Sequence, residues 1–168
     1  MAKTAASTST HKKVVVLLLD GSSLKGYLNP AQLGRSSEVD LLSVSGEHRA
    51  VALDEVKSVH FVREFTESFE LERKTFLSRP KLDGLWVRLR FRDEDSLEGI
   101  VPNNLLDLLD AGIQITPPDL HGNTIRMFVP RSALIEMKVL GVVGVARRAA
   151  SQRPRAKVAA AQSKLFSE

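Results

Sequence analysis

The 168-residue chain contains no cysteine, which excludes disulfides, thiolate metal sites and cysteine nucleophiles. Aromatic side chains are scarce, with one Trp, one Tyr and seven Phe, so Val and Leu must carry any core. No long apolar run is present, since Val14–Leu19 is stopped by Asp20 after six residues. A signal peptide needs a longer stretch and a spanning helix about 20 apolar residues, so a cytoplasmic protein with no membrane contact is expected. His11, His48, His60 and His121 are scattered without metal-ligand spacing, and no nucleophile elbow, phosphate loop or dinucleotide fingerprint occurs. The expectation is a protein that is not an enzyme and holds no cofactor and no metal.

Acidic charge is short where it would balance the ends. Residues 1–13 and 146–168 hold nine of the 24 basic residues and one of the 20 acidic ones. The intervening chain carries 15 basic and 19 acidic residues, so the formal +4 of the whole conceals a core of −4. A nucleic-acid-binding domain is itself basic, so only the tails could contact nucleic acid.

What is present is a repeat. Val14–Gly26 reads VVVLLLDGSSLKG and Val87–Gly99 reads VRLRFRDEDSLEG, sharing Val14/Val87, Asp20/Asp93, Ser23/Ser96, Leu24/Leu97 and Gly26/Gly99. Val51–Val62 matches Val129–Leu140 in apolar pattern at a slightly larger offset. The first copy predicts strands at Val14–Leu19, Ser23–Leu28, Glu38–Val44, Arg49–Leu53 and Val56–Arg63, with a hairpin turn at Asp20-Gly21 and one helical turn at Asp54-Glu55. The second predicts Leu85–Arg92, Ser96–Val101, Gly112–Thr116, Thr124–Val129 and Ala133–Leu140, with Pro130-Arg131-Ser132 in place of the helical turn. Asp20 and Asp93 are read as turn residues. Units of this size are marginal alone and would gain by packing together.

Five segments follow: a disordered basic tail (1–13), a first β-unit (14–63), a connector (64–84), a second β-unit (85–145) and a disordered or partly helical basic tail (146–168). Phe65, Phe69 and Phe76 lie at helical spacing, predicting an amphipathic helix over Glu64–Phe76; an extended connector is the rival reading. Alternate strand residues face opposite ways. The second copy puts Arg88, Arg90 and Arg92 where the first puts Val15, Leu17 and Leu19. That first strand is apolar on both faces and needs cover from the connector, the other unit or a second chain, which makes Val15, Leu17 and Leu19 a candidate interaction face. The arginine row could track phosphates, but Glu94, Asp95 and Glu98 beside it favour a solvated, ion-paired face.

An apolar strand, an Asp-Gly turn and a Leu-x-Gly return resemble the first half of the signature of Sm-like and SH3-like small barrels. The resemblance implies five bent antiparallel strands in each unit, with a one-turn helix before the last. The Sm family binds RNA through residues without counterparts here, so RNA binding by that route is not implied. Arg73, Lys74, Arg79 and Lys81 ahead of Glu94-x-Ser96-x-x-Gly99 resemble, in order though not in spacing, the cyclic-di-GMP site of PilZ domains. With Arg88, Arg90 and Arg92, residues Arg73, Lys74 and Arg79 form the candidate anion-binding set. The segments RKTFLSRPK, GLWVRLRF, PNNLL and ITPPD resemble an uncharacterised bacterial family, which implies no activity. The expected fold is all-β, two small five-stranded Sm/SH3-like barrels in tandem with a short helical or extended connector. The expected role is a non-enzymatic adaptor whose partner is another protein or a second copy; cyclic-dinucleotide binding and nucleic-acid binding through the C-terminal tail are the alternatives.

Overall fold

A computed structural model describes residues 10–71, 73–108 and 110–144. The expected basic tail at 146–168 and most of that at 1–13 lie outside them. Lys12 and Lys13, however, belong to the first strand rather than to a tail. Among the described residues there are ten strands, β1 Lys12–Leu18, β2 Ser23–Leu28, β3 Glu38–Ser43, β4 His48–Ala52, β5 Val56–Val62, β6 Gly84–Phe91, β7 Ser96–Val101, β8 Gly112–Ile115, β9 Thr124–Pro130 and β10 Leu134–Val143. A four-residue helix, α1, spans Leu105–Leu108 in the β7–β8 loop.

The protein is therefore mostly β, but its described residues close no barrel. A seven-stranded sheet runs β4-β3-β2-β1-β5-β9-β8, and a three-stranded sheet runs β10-β6-β7. The all-β expectation holds, while the strand pairing does not divide into the two five-stranded barrels expected in tandem. The cause is β9, which pairs with β8 on one side and with β5 of the first half on the other. Meanwhile β7 and the end of β8 share a single backbone bridge, Ile100–Thr116.

The two halves nevertheless pair their strands in the same register. Val14 faces Gly26 as Val87 faces Gly99, and Val14 faces Phe61 as Val87 faces Val139. A bulge then shifts Leu18 onto Val56 and Phe91 onto Leu134. The return-strand glycines have a steric reason. A Cβ on Gly26 would overlap the Leu42 carbonyl oxygen, and one on Gly99 would overlap the Ile115 side chain. Both turn aspartates accept from the backbone two residues on, Asp20 from Ser22 at 2.8 Å and Asp93 from Asp95 at 3.1 Å. A single 3-10 turn precedes the last strand of each half, at Leu53–Glu55 and at Arg131–Ala133. Pro130 does not abolish the second, because its φ of −61° suits the residue before the turn. No side chain caps the first.

Two cores result. One gathers Val14, Val16, Leu41, Val56, Val59 and Phe61 with others; the second gathers Val87, Leu89, Phe91, Val101, Ile113 and Ile115 with others. Strand β9 serves both through its pleat: Phe128 enters the first core while Met127 and Val129 enter the second. Phe128→Ala is expected to cost about 3 kcal/mol, the usual scale for emptying a buried aromatic site.

The connector forms no helix among its described residues, which favours the extended reading. Its three phenylalanines dock separately, and one helix face could not serve all three places. Phe65 packs edge-on to Tyr27 at 5.6 Å, Phe69 to His60 at 4.6 Å and Phe76 to Trp86 at 6.1 Å between ring centres. Lys25 Nζ donates to the carbonyls of Thr66 and Glu67, and Lys74 O accepts from Glu98 N at 2.7 Å.

Candidate functional site

Where β5, the β6–β7 hairpin and the connector meet, a cleft of about 320 Å³ opens, lined by Leu17, Lys57, His60, Phe69, Lys74 and Asp95 among others. Lys57 leaves β5 and reaches Asp93 Oδ2 at 2.6 Å and Asp95 Oδ2 at 3.0 Å, with its ammonium 5.0 Å from the Phe91 ring centre. Lys74 reaches Asp95 Oδ1 from the connector at 2.7 Å. Partial burial works to lower the Lys57 pKa, but the bonds and charges of Asp93 and Asp95 outweigh it and raise the pKa above its ordinary value. For Asp95 burial pushes upward, and the bonds to Lys74 and Lys57 reverse it, leaving the carboxyl below its ordinary value.

Ser58 Oγ and His60 Nε2 lie 2.9 Å apart on the floor of this cleft, both side chains buried. A hydroxyl beside an imidazole is the first contact of a nucleophile–base pair. Here the imidazole is 1% exposed and its Nδ1 has no partner. Burial, reinforced by the Lys57 charge, lowers its pKa to about 3. The ring is thus neutral at physiological pH, a weak base with no carboxylate to orient it. The arrangement reads as a buried polar pair under Phe69.

The candidate cations do not converge. Arg73 is exposed on the connector, and Lys74 is engaged by Asp95. Arg79 Nη2 donates to the Val142 carbonyl at 2.8 Å. Arg88 pairs with Glu98 at 3.2 Å, Arg90 with Glu136 at 3.9 Å, and Arg92 is exposed at the hairpin. A site built from Arg79 and the Glu94–Gly99 turn would need the two together. Val142 pairs with Leu85 at the start of β6, while the turn follows its end at Phe91, so they sit about 20 Å apart by strand rise. Of the acids expected beside this row, Glu98 pairs with Arg88, whereas Asp95 holds Lys57 and Lys74 and Arg90 turns to Glu136 of β10.

Glu98 is the anchor that sequence reasoning underrated. Read from sequence it was one of three acids beside the arginines; in the structure it is 5% exposed. Its Oε2 accepts from Trp86 Nε1 and from Phe76 N, each at 3.1 Å. Lys57 was missed altogether. Its partners lie 36 and 38 residues away, a separation that leaves no local pattern.

The apolar face of β1 is covered from within. Val15 is buried, Leu17 lines the cleft beneath the connector and Leu19 packs on the second core. Leu17 and Leu19 are half-buried there rather than bare. A row of exposed apolar side chains lies on β10, which ends the smaller sheet and, among the described residues, pairs only with β6. Met137 and Val139 are cross-strand neighbours of buried Leu89 and Val87, yet are 36% and 53% exposed. Their register equivalents on β5, Val59 and Phe61, are 0% and 3% exposed. The difference is a neighbouring strand, because Val59 lies beside Phe128 of β9 and Phe61 beside Arg126. Ile135 and Val142 add to the exposed row on β10. The opposite edge, β4, likewise pairs only with β3.

Among the described residues no helix is long and apolar enough to cross a membrane. A family model described as a family of unknown function, DUF6982, matches residues 10–141. No curated protein and no solved structure matches the chain.

Proposed function

The chain belongs to this family of unknown function, and from that premise we propose that it is a non-enzymatic interaction module that captures protein through the open edge of β10. The observation that carries the reading is the row Ile135, Met137, Val139 and Val142, apolar and exposed along a strand that pairs on one side only. A bare sheet edge offers unpaired N–H and C=O groups, and apolar side chains beside it add burial. Such an edge is a liability unless something covers it.

We read the scaffold as two copies of one Sm/SH3-like unit. Support comes from the shared registers and bulges, and from matching strand orders β5-β1-β2-β3-β4 and β10-β6-β7-β8-β9, the β7–β8 step being a single bridge. A cysteine-free chain suits the reducing cytoplasm, the compartment this reading assumes.

Val139→Glu places a charge on the exposed row without entering a core. Partner capture by the wild type, compared with this variant, tests the reading. The expected result is a bound protein that the variant loses. Equal recovery by both would move the site away from β10, and a wild type that binds neither itself nor any protein would remove the interaction reading.

A further inference from the structure

The interface between the two halves is asymmetric: the last strand of the first half, β5, lies against the fourth strand of the second, β9. A contact joining one patch to a different patch is heterologous, and it can be repeated by any further copy that carries both. Beyond β7 and β8, which meet at the bridge Ile100–Thr116, the outer edges among the described strands are β10 and β4, and they are the complementary ones. β10 stands in the second half where β5 stands in the first, and β4 stands in the first where β9 stands in the second. Resting on the edge-capture reading above, we infer that the partner of β10 is β4 of a second copy of this chain, added head to tail.

The backbone is prepared for it. In the first half Leu18 N donates to Ser22 O at 2.9 Å, so alternation along β1 turns Leu17 and Val15 toward β5 and leaves the Val59 and Phe61 N–H groups facing β9. In the second half Phe91 N donates to Asp95 O at 2.8 Å, and the same count leaves the N–H groups of Met137 and Val139 facing outward. On β4, the bonds Ser43 N to Glu47 O and Leu53 N to Ser37 O, each 2.8 Å, put Arg49 and Val51 in the β3 ladder and turn the Ala50 N–H outward. Carrying over the Val59–Phe128 pairing sets Met137 opposite Ala50 and Val139 opposite His48.

The side chains set its strength. Met137 and Val139 supply the apolar surface, and Ala50 offers little bulk to obstruct it. Ala50 also buries less than Phe128 does in the equivalent place, and Lys138 meets Arg49 across the contact, a like-charge pair. Assembly is therefore weaker than the internal junction and depends on concentration. Arg79 occupies the Val142 carbonyl, so the usable edge is the stretch before it.

Proline on an edge strand removes an outward donor and spares the inner ladder. The test is sedimentation of the full chain as wild type, Ala50→Pro, Met137→Pro and an equimolar mixture of the two variants, with thermal melts to show that each folds. Ala50→Lys and Met137→Lys serve if either proline variant does not fold. Wild type should grow in mass from the 18.5 kDa single chain with concentration. Each variant alone should stay at that mass, and the mixture should reform a two-chain species, because each variant keeps the edge the other lacks. Association of Ala50→Pro alone would mean β10 pairing with β10 and overturn the inference, as would a mixture that stays monomeric. A monomeric wild type that still holds a protein partner through Val139 overturns self-assembly and leaves the edge-capture reading standing; a monomer that holds none removes both.

Discussion

Lys57 Nζ sits 2.6 Å from Asp93 Oδ2, joining the last strand of the first half to the first hairpin of the second. The ammonium is mostly shielded while both aspartates are about one-third exposed, so this junction is a semi-buried ion cluster. Together with the pairing of β9 on β5, it ties the two halves to each other.

Removing the cation should show how much that cluster contributes. Lys57→Ala leaves two neighbouring carboxylates with Lys74 alone, and a loss of about 2 kcal/mol is expected from the scale of charge-assisted bonds. Urea unfolding at neutral pH measures it. Because the folded pKa of Asp95 is below its ordinary 3.8, its contribution is present above that value and is lost as pH falls through the folded value. The gap between wild type and Lys57→Ala should therefore narrow in acid below about pH 4. A gap constant down to pH 2 would assign the loss to packing on Phe91 instead.

Much of this was legible in the sequence, for reasons that also mark the limits. Alternation at Val87, Leu89 and Phe91, the Asp-containing turns and the Leu-x-Gly returns are local signals, and all ten strands lie close to where those signals put them. The division into sheets depends on β9 choosing β5, a pairing across about 65 residues that no local pattern encodes. The spacing of Phe65, Phe69 and Phe76 suits a helix, but each ring finds a separate partner, and tertiary contacts overrule periodicity. The bare face at β10 was hidden for the same reason. Val59 and Met137 are similar residues in similar strands, and only the presence or absence of a neighbour distinguishes them.

Burial of His60 makes stability depend on pH. Its folded pKa of about 3 lies below the ordinary 6.5, so its contribution is complete above pH 6.5 and is lost as pH falls toward 3. At pH 5 the linkage amounts to about 2 kcal/mol. His60→Met, which keeps an apolar side chain under Phe69, should flatten the decline in unfolding free energy between pH 7.5 and pH 5. A variant with the same decline as wild type would place the acid sensitivity elsewhere.

Glu98 should prove the costliest single acid to truncate. Alanine there leaves the Trp86 indole N–H and the Phe76 amide without their acceptor, which predicts a loss of about 2–3 kcal/mol. Glu98→Gln, with its amide oxygen in the place of Oε2, keeps the acceptor for both, gives up the Arg88 pair at Oε1 and should lose less. Trp86 is the sole tryptophan, so its emission reports the site directly. The alanine variant should shift that emission toward the red before global unfolding, as Phe76 and the connector lift from Trp86. An unchanged spectrum would mean that Phe76 stays docked without the carboxylate.

The two hairpin turns differ at one position, and the difference predicts a stabilising substitution. Gly21 has φ +91°, and Glu94, at the same place in the second copy, has φ 69°. A side chain in the left-handed region costs roughly 1–2 kcal/mol. Glu94→Gly removes that cost but frees the unfolded chain by roughly 0.5–1 kcal/mol, so the net gain should be about 0.5 kcal/mol. The reverse exchange, Gly21→Glu, should cost about the same. Glu94 is exposed, so neither change removes a packing contact. Thermal melts of the pair should move in opposite directions; movement in the same direction would show that the two turns are not held in equivalent conformations.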